Sequence, residues 1–135
     1  MPDRLSAWLS LTDGPVPPAS TAATVVDGAA CATRAALLDE WSRVLDVPDR
    51  DVLTWDALAA TVRALTDDAP LTVEVARADR LLADEPPATL ATFLRVLDGV
   101  AAEAPGTLRL VLRTPPERAA GLRARLAAAA TLATR

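Results

Sequence analysis

Carboxylates are concentrated in one stretch of the chain, and they are the side chains best suited to acid–base chemistry or to binding a cationic partner. Six of them lie between Asp46 and Asp68 together with two arginines, which leaves a local charge of −4. That value equals the formal net charge of all 135 residues. A surface dominated by one sign of charge attracts an oppositely charged partner and raises the rate of association. We call residues 46–68 the acidic segment.

The residue types exclude most catalytic and metal-binding arrangements. The chain has no histidine and one cysteine, Cys31, so Ser-His, Cys-His and histidine-metal sites are absent. The five glycines are scattered and form no phosphate-binding loop. Close carboxylate pairs such as Asp49 and Asp51 could serve acid–base or calcium chemistry, but they fall in predicted loops or at helix ends. We predict a protein that is not an enzyme and has no catalytic residue, metal site or cofactor.

The second half of the acidic segment is predicted to be an amphipathic helix. Thr54 is a suitable N-cap, and Asp56 lies in the first turn, where the helix dipole favours a carboxylate. The position of Asp56 is explained either by this helix stabilisation or by contact with a partner. Helical spacing predicts a buried stripe of Trp55, Leu58, Val62 and Leu65 and an opposite stripe of Asp56, Ala60, Arg63 and Asp67, with Ala59 beside it.

The remaining elements are predicted to alternate between strands and helices. Strands are expected at residues 23–26, 71–75 and 107–113, and helices at 34–45, 54–66, 88–102 and from 115 onward. Residues 5–11 could form an extra strand or a packed arm with Trp8 as its anchor. This alternation predicts a single α/β domain over residues 1–135, with a small three-stranded parallel sheet and helices packed on it. Residues 1–22 form an N-terminal arm, 23–114 the core and 115–135 a C-terminal helix.

Composition also limits the possible cellular location of the protein and the kinds of partner it can bind. No apolar run approaches the roughly 20 residues needed to span a membrane, and the N-terminus lacks the pattern of a signal peptide. A lone cysteine fits a reducing compartment, so we expect a cytoplasmic location and no membrane association. The net negative charge and four aromatic residues argue against direct nucleic-acid binding.

The order of these segments resembles the barstar family, intracellular inhibitors of small secreted ribonucleases. Pro48, a six-residue loop and then Trp55-Asp56-Ala57-Leu58 resemble the family's loop and the helix that follows it. The likeness continues through segments 70–74, 80–84, 90–100 and 108–112, and covers residues 25–112. The chain departs from the family at Arg50-Asp51-Val52, where relatives have two aromatics and a glycine, and at Thr54, where they have asparagine. It departs again at Ala60, where an acidic residue usually takes the place of a substrate phosphate.

The resemblance implies a barstar-like fold and inhibition of a small guanyl-specific bacterial ribonuclease, bound 1:1 in its basic cleft. The residues expected to contact this partner are Asp49, Arg50, Asp51, Val52, Thr54, Asp56, Ala59, Ala60, Arg63 and Asp98. Asp98 is the candidate for a secondary acidic contact on the late helix. Two alternatives follow from the departures: an immunity protein against a different toxin, as in a toxin–antitoxin pair, or a binding module without inhibitory activity.

Overall fold

The computed structural model describes residues 3–4, 8–12, 24–45, 54–104 and 106–133. The strands in this part of the chain are β1 (Asp3–Arg4), β2 (Leu9–Thr12), β3 (Thr24–Asp27), β4 (Leu71–Ala76) and β5 (Leu108–Arg113). The α-helices are α1 (Arg34–Val44), α2 (Trp55–Asp68), α3 (Pro87–Glu103) and α4 (Pro116–Ala133). Two short 3-10 helices, Gly28–Cys31 and Ala78–Arg80, follow β3 and β4.

The strands form one sheet in the order β1-β2-β5-β4-β3. The pairs β2–β5, β5–β4 and β4–β3 are parallel, whereas β1 pairs with β2 in the antiparallel sense. The predicted α/β class with a parallel sheet is therefore confirmed. The sheet has four parallel strands where three were predicted, because β2, from the predicted N-terminal arm, adds to the free side of β5.

One face of the sheet carries the hydrophobic core. The register aligns Val26 with Val75, Val75 with Leu112, and Leu112 with Leu11, so their side chains form a row across four strands. Each of these four residues is completely buried. On the other face of the two central strands, Glu74 of β4 forms an ion pair with Arg113 of β5 at 3.0 Å, and only 10% and 13% of their side chains are exposed.

The helices cover this apolar row with side chains at helical spacing. In α1, Thr33 caps the first turn by accepting a hydrogen bond from the Ala36 N–H, and Trp41 points into the core. The Trp41 ring meets Phe93 of α3 edge-on, with 5.5 Å between ring centroids. Trp55, at the start of α2, lies 6.1 Å from the same Phe93 ring. Phe93 therefore fixes the positions of α1, α2 and α3 relative to one another.

The C-terminal helix α4 packs against the rest of the protein through buried leucines and through hydrogen bonds from one arginine side chain. Leu122 and Leu126 are buried. Arg125 donates hydrogen bonds to the carbonyl oxygens of Asp79 and Leu81 at 3.2 and 2.6 Å. Burial lowers the pKa of Arg125, and the nearby Asp79 carboxylate acts in the opposite direction. Arg125 thus binds backbone carbonyls in the segment after β4, in contrast to Arg118 at the start of α4, which is exposed.

Candidate functional site

Helix α2 begins where the sequence predicted. Its first turn is fixed by an N-cap hydrogen bond and by side chains that pack against the core. The Thr54 hydroxyl accepts a hydrogen bond from the Ala57 N–H at 3.1 Å, which confirms it as the N-cap. Trp55 packs against the core while Leu58 and Val62 are buried. Because the cap and the buried residues fix the rotation of the helix about its axis, they also determine which residues face outward.

The outward stripe of α2 combines carboxylates with small side chains. Asp56, Ala60, Arg63 and Asp67 are all exposed, and their spacing places them along one side of the helix. No side chain in the described part of the chain forms an ion pair or hydrogen bond with Asp56. Ala59 is half-buried and packs against the core, so it borders this stripe rather than lying within it. We call these four exposed residues the α2 surface.

Arg63 on this surface is tied to Glu103, the last residue of α3. Its Nε donates to Oε2 at 2.6 Å and its Nη2 to Oε1 at 3.2 Å, so the contact is bidentate. This hydrogen bond, and then the negative charge of Glu103, raise the pKa of Arg63, with a smaller contribution from Asp67. Glu103 was not among the predicted site residues. Nothing in its local sequence marks it, since the pairing depends on how α2 packs against α3.

Asp98 does not join the α2 surface. It lies five residues before Glu103, which is about 140° around the axis of α3. Its Oδ1 accepts a hydrogen bond at 2.9 Å from the indole N–H of Trp8, the residue that precedes β2. Trp8 is the anchor that the sequence predicted for the N-terminal arm, and its hydrogen-bond partner is the predicted secondary acidic contact. Asp98 is exposed, but on a different flank of α3 from the one that meets α2.

The loop that precedes α2 carries the other predicted contact residues. Asp49, Arg50, Asp51 and Val52 lie outside the described residues, so their roles remain predictions from the sequence. In the sequence, Leu53 alone separates them from Thr54, the N-cap of α2.

The one cysteine of the chain, Cys31, lies in the core. Cys31 is completely buried, and its burial raises the pKa of the thiol to about 12, with further contributions from the negative charges of Glu40 and Asp27. Such a thiol is protonated at neutral pH and is therefore a poor nucleophile. Within the described ranges no three acidic, cysteine or histidine side chains are grouped so that they could hold a metal ion.

None of the helices in the described part of the chain is both long and apolar enough to cross a bilayer.

The model of the family described as Barstar (barnase inhibitor) matches residues 21–114, which include β3, α1, α2, β4, α3 and β5. Neither the curated proteins nor the solved structures provide a match. Because the matched segment spans more than half of the chain and contains the acidic segment, the protein belongs to the barstar family.

Proposed function

We propose that this chain inhibits a small secreted guanyl-specific ribonuclease by covering the basic active-site cleft of that enzyme. The observation that carries the proposal is the α2 surface, an exposed helical stripe with carboxylates at Asp56 and Asp67 and a small residue at Ala60. A cleft that binds RNA phosphates is rich in cations, so an acidic helix matches it in charge. Small side chains let the helix approach the cleft closely. The family to which the chain belongs is described as an inhibitor of barnase.

In the proposed complex, residues 49–52 of the loop and Thr54, Asp56, Ala59, Ala60 and Arg63 of the helix contact the nuclease, one inhibitor to one enzyme. Asp51 and Asp56 are the carboxylates that meet its cations. The inhibitor acts in the cytoplasm of the bacterium that makes the nuclease. Asp98 contributes only if the nuclease also reaches around α3, because it lies about 140° from Glu103 on that helix.

The test is a titration of the purified protein into RNA-cleavage reactions of several small microbial guanyl-specific ribonucleases. We expect stoichiometric loss of activity with at least one of them. Asp56→Asn should weaken inhibition about tenfold or more if binding energy is concentrated at this helix. The matched control is Asp84→Asn, which removes an exposed carboxylate from the connection between β4 and α3. Equal effects of the two substitutions would contradict the assignment of the α2 surface.

The dependence on salt provides a second readout of the same complex. Raising the ionic strength should slow association strongly and change dissociation little, because exposed charges steer the encounter and are screened by salt. An association rate constant that stays flat from low to high salt would contradict electrostatic steering.

One observation favours a second candidate, an immunity protein against a different toxin. The resemblance to the family implies an acidic residue at the position of Ala60, and the only cation on the α2 surface, Arg63, lies one turn further along the same stripe. Ala60→Asp separates the two functions. If the partner is a guanyl-specific ribonuclease, this substitution should tighten inhibition. If the wild-type protein and the Ala60→Asp variant both fail to inhibit every ribonuclease tested, inhibition of these enzymes is excluded. Co-purification with a non-nuclease toxin then distinguishes an immunity protein from a binding module without inhibitory activity.

A further inference from the structure

We propose that Glu103, by pairing with Arg63, offsets the one cation of the α2 surface and so strengthens the preference of this surface for a cationic protein partner. The inference rests on the proposed function and assigns it a specificity-determining pair. Neither the position nor the role of Glu103 follows from the match to the family. Both follow from the contact between α2 and α3.

The ion pair joins the α2 surface to the last residue of α3. Arg63 lies on the α2 surface between Ala60 and Asp67, so its guanidinium is the one cation among the exposed residues of this stripe. Without compensation it would repel the lysine and arginine side chains that line a phosphate-binding cleft. Glu103 supplies the compensating charge from α3 through two hydrogen bonds of 2.6 and 3.2 Å.

Both side chains of the ion pair are exposed to solvent. The side chains of Arg63 and Glu103 are 45% and 54% exposed, so both charges are in contact with solvent and accessible to a partner. An exposed pair of this kind contributes little to folding stability. Its charges nevertheless act on an approaching partner, because their effect on association does not require burial in the free protein.

A purely structural role for the pair makes a different prediction. If the ion pair served only to hold α2 against α3, removing either the Arg63 or the Glu103 side chain would displace the α2 surface. Both substitutions would then weaken binding to the nuclease. If the pair sets the charge of the surface, the two removals act in opposite directions. Glu103→Gln removes the carboxylate that pairs with Arg63, whereas Arg63→Gln removes the cation and leaves the Glu103 carboxylate without its partner.

The experiment measures association rate constants at low salt by stopped-flow for Glu103→Gln, Arg63→Gln and the double variant with an inhibited ribonuclease. Two matched controls change the charge equally at the other end of α3, which is about 25 Å long. These are Asp84→Asn and Arg118→Gln, at exposed positions near the carboxyl ends of the strands. A second probe, hexa-arginine peptide, is titrated into the same variants and followed by the amide NMR shifts of α2. This probe measures cation binding without any nuclease.

We expect Glu103→Gln to slow association roughly threefold to tenfold, Arg63→Gln to speed it by a similar factor, and the double variant to return close to the wild-type rate. The controls should change the rate less than twofold. Slower association for both single variants would overturn the proposal in favour of a structural fastening. Control variants that change the rate as much as the pair variants would overturn it in favour of net charge alone. If no ribonuclease is inhibited but the peptide shows the opposite-sign pattern, the proposed function fails and the role of the ion pair stands.

Discussion

Leu11→Ala tests whether β2 is an integral part of the core. Leu11 is completely buried and is aligned with Leu112 of β5. Removing three carbons from such a site costs the transfer free energy of the lost atoms plus a term for the cavity, about 3–5 kcal/mol. The entropy of unfolding for 135 residues is about 280 cal/mol/K, at roughly 2.1 cal/mol/K for each residue. The expected fall in Tm is therefore about 10–18 °C.

The measurement is urea denaturation monitored by tryptophan fluorescence, together with a thermal scan by circular dichroism. Ser10→Ala is the matched control, because Ser10 lies on the opposite face of the same strand and is only half-buried. We expect this control to lose less than about 1 kcal/mol. A loss below about 1 kcal/mol for Leu11→Ala as well would refute the reasoning, since it would mean that β2 is not packed on β5 in solution.

Three further predictions concern other parts of the fold. Thr54→Ala should lower the free energy of unfolding by about 0.5–2 kcal/mol through loss of the N-cap, and Thr54→Ser should restore it in urea titrations. Glu74→Gln should cost about 3–5 kcal/mol, because it leaves the buried Arg113 guanidinium without its counter-charge; a loss below about 1 kcal/mol would argue against the pair. The raised pKa of Cys31 favours the neutral thiol in the folded state, so its contribution is complete below about pH 9 and is lost as the pH rises toward 12. With no lysine or tyrosine in the chain, the urea midpoint should fall more between pH 8 and pH 10 in the wild type than in Cys31→Ala, and equal falls would contradict the assignment.

The sequence predicted those features that depend on local chemistry. The N-cap Thr54 and the exposed stripe of α2 follow from residue type and helical spacing, and the structure confirms them. Trp55 was predicted to lie on the buried stripe of this helix. It is half-buried at the start of α2 and packs against Phe93.

Features that depend on contacts distant in sequence could not be predicted in the same way. The segment with Leu9 and Leu11 was recognised as a possible strand, but its pairing with β5 is a matter of tertiary packing. The same is true of the candidate site. Asp98 was chosen from its place in the sequence, yet it bonds to Trp8, whereas Glu103, five residues later, meets Arg63 of α2. Sequence spacing fixes the side of a helix on which a residue lies but does not identify the neighbour on that side.

The pairing of β2 with β5 has a consequence for how the protein is made. Leu9 is aligned with Leu110, so about 100 residues must be synthesised before β2 has its partner strand. At the usual rates of translation this takes roughly 5–20 s, during which two leucines of the eventual core have no strand to pack against. Long-range parallel pairing also slows folding, because the entropy of closing a large loop is lost before the contact is gained. Completion of the sheet should therefore be a late and slow step, and until then β2 is open to aggregation and to chaperone binding.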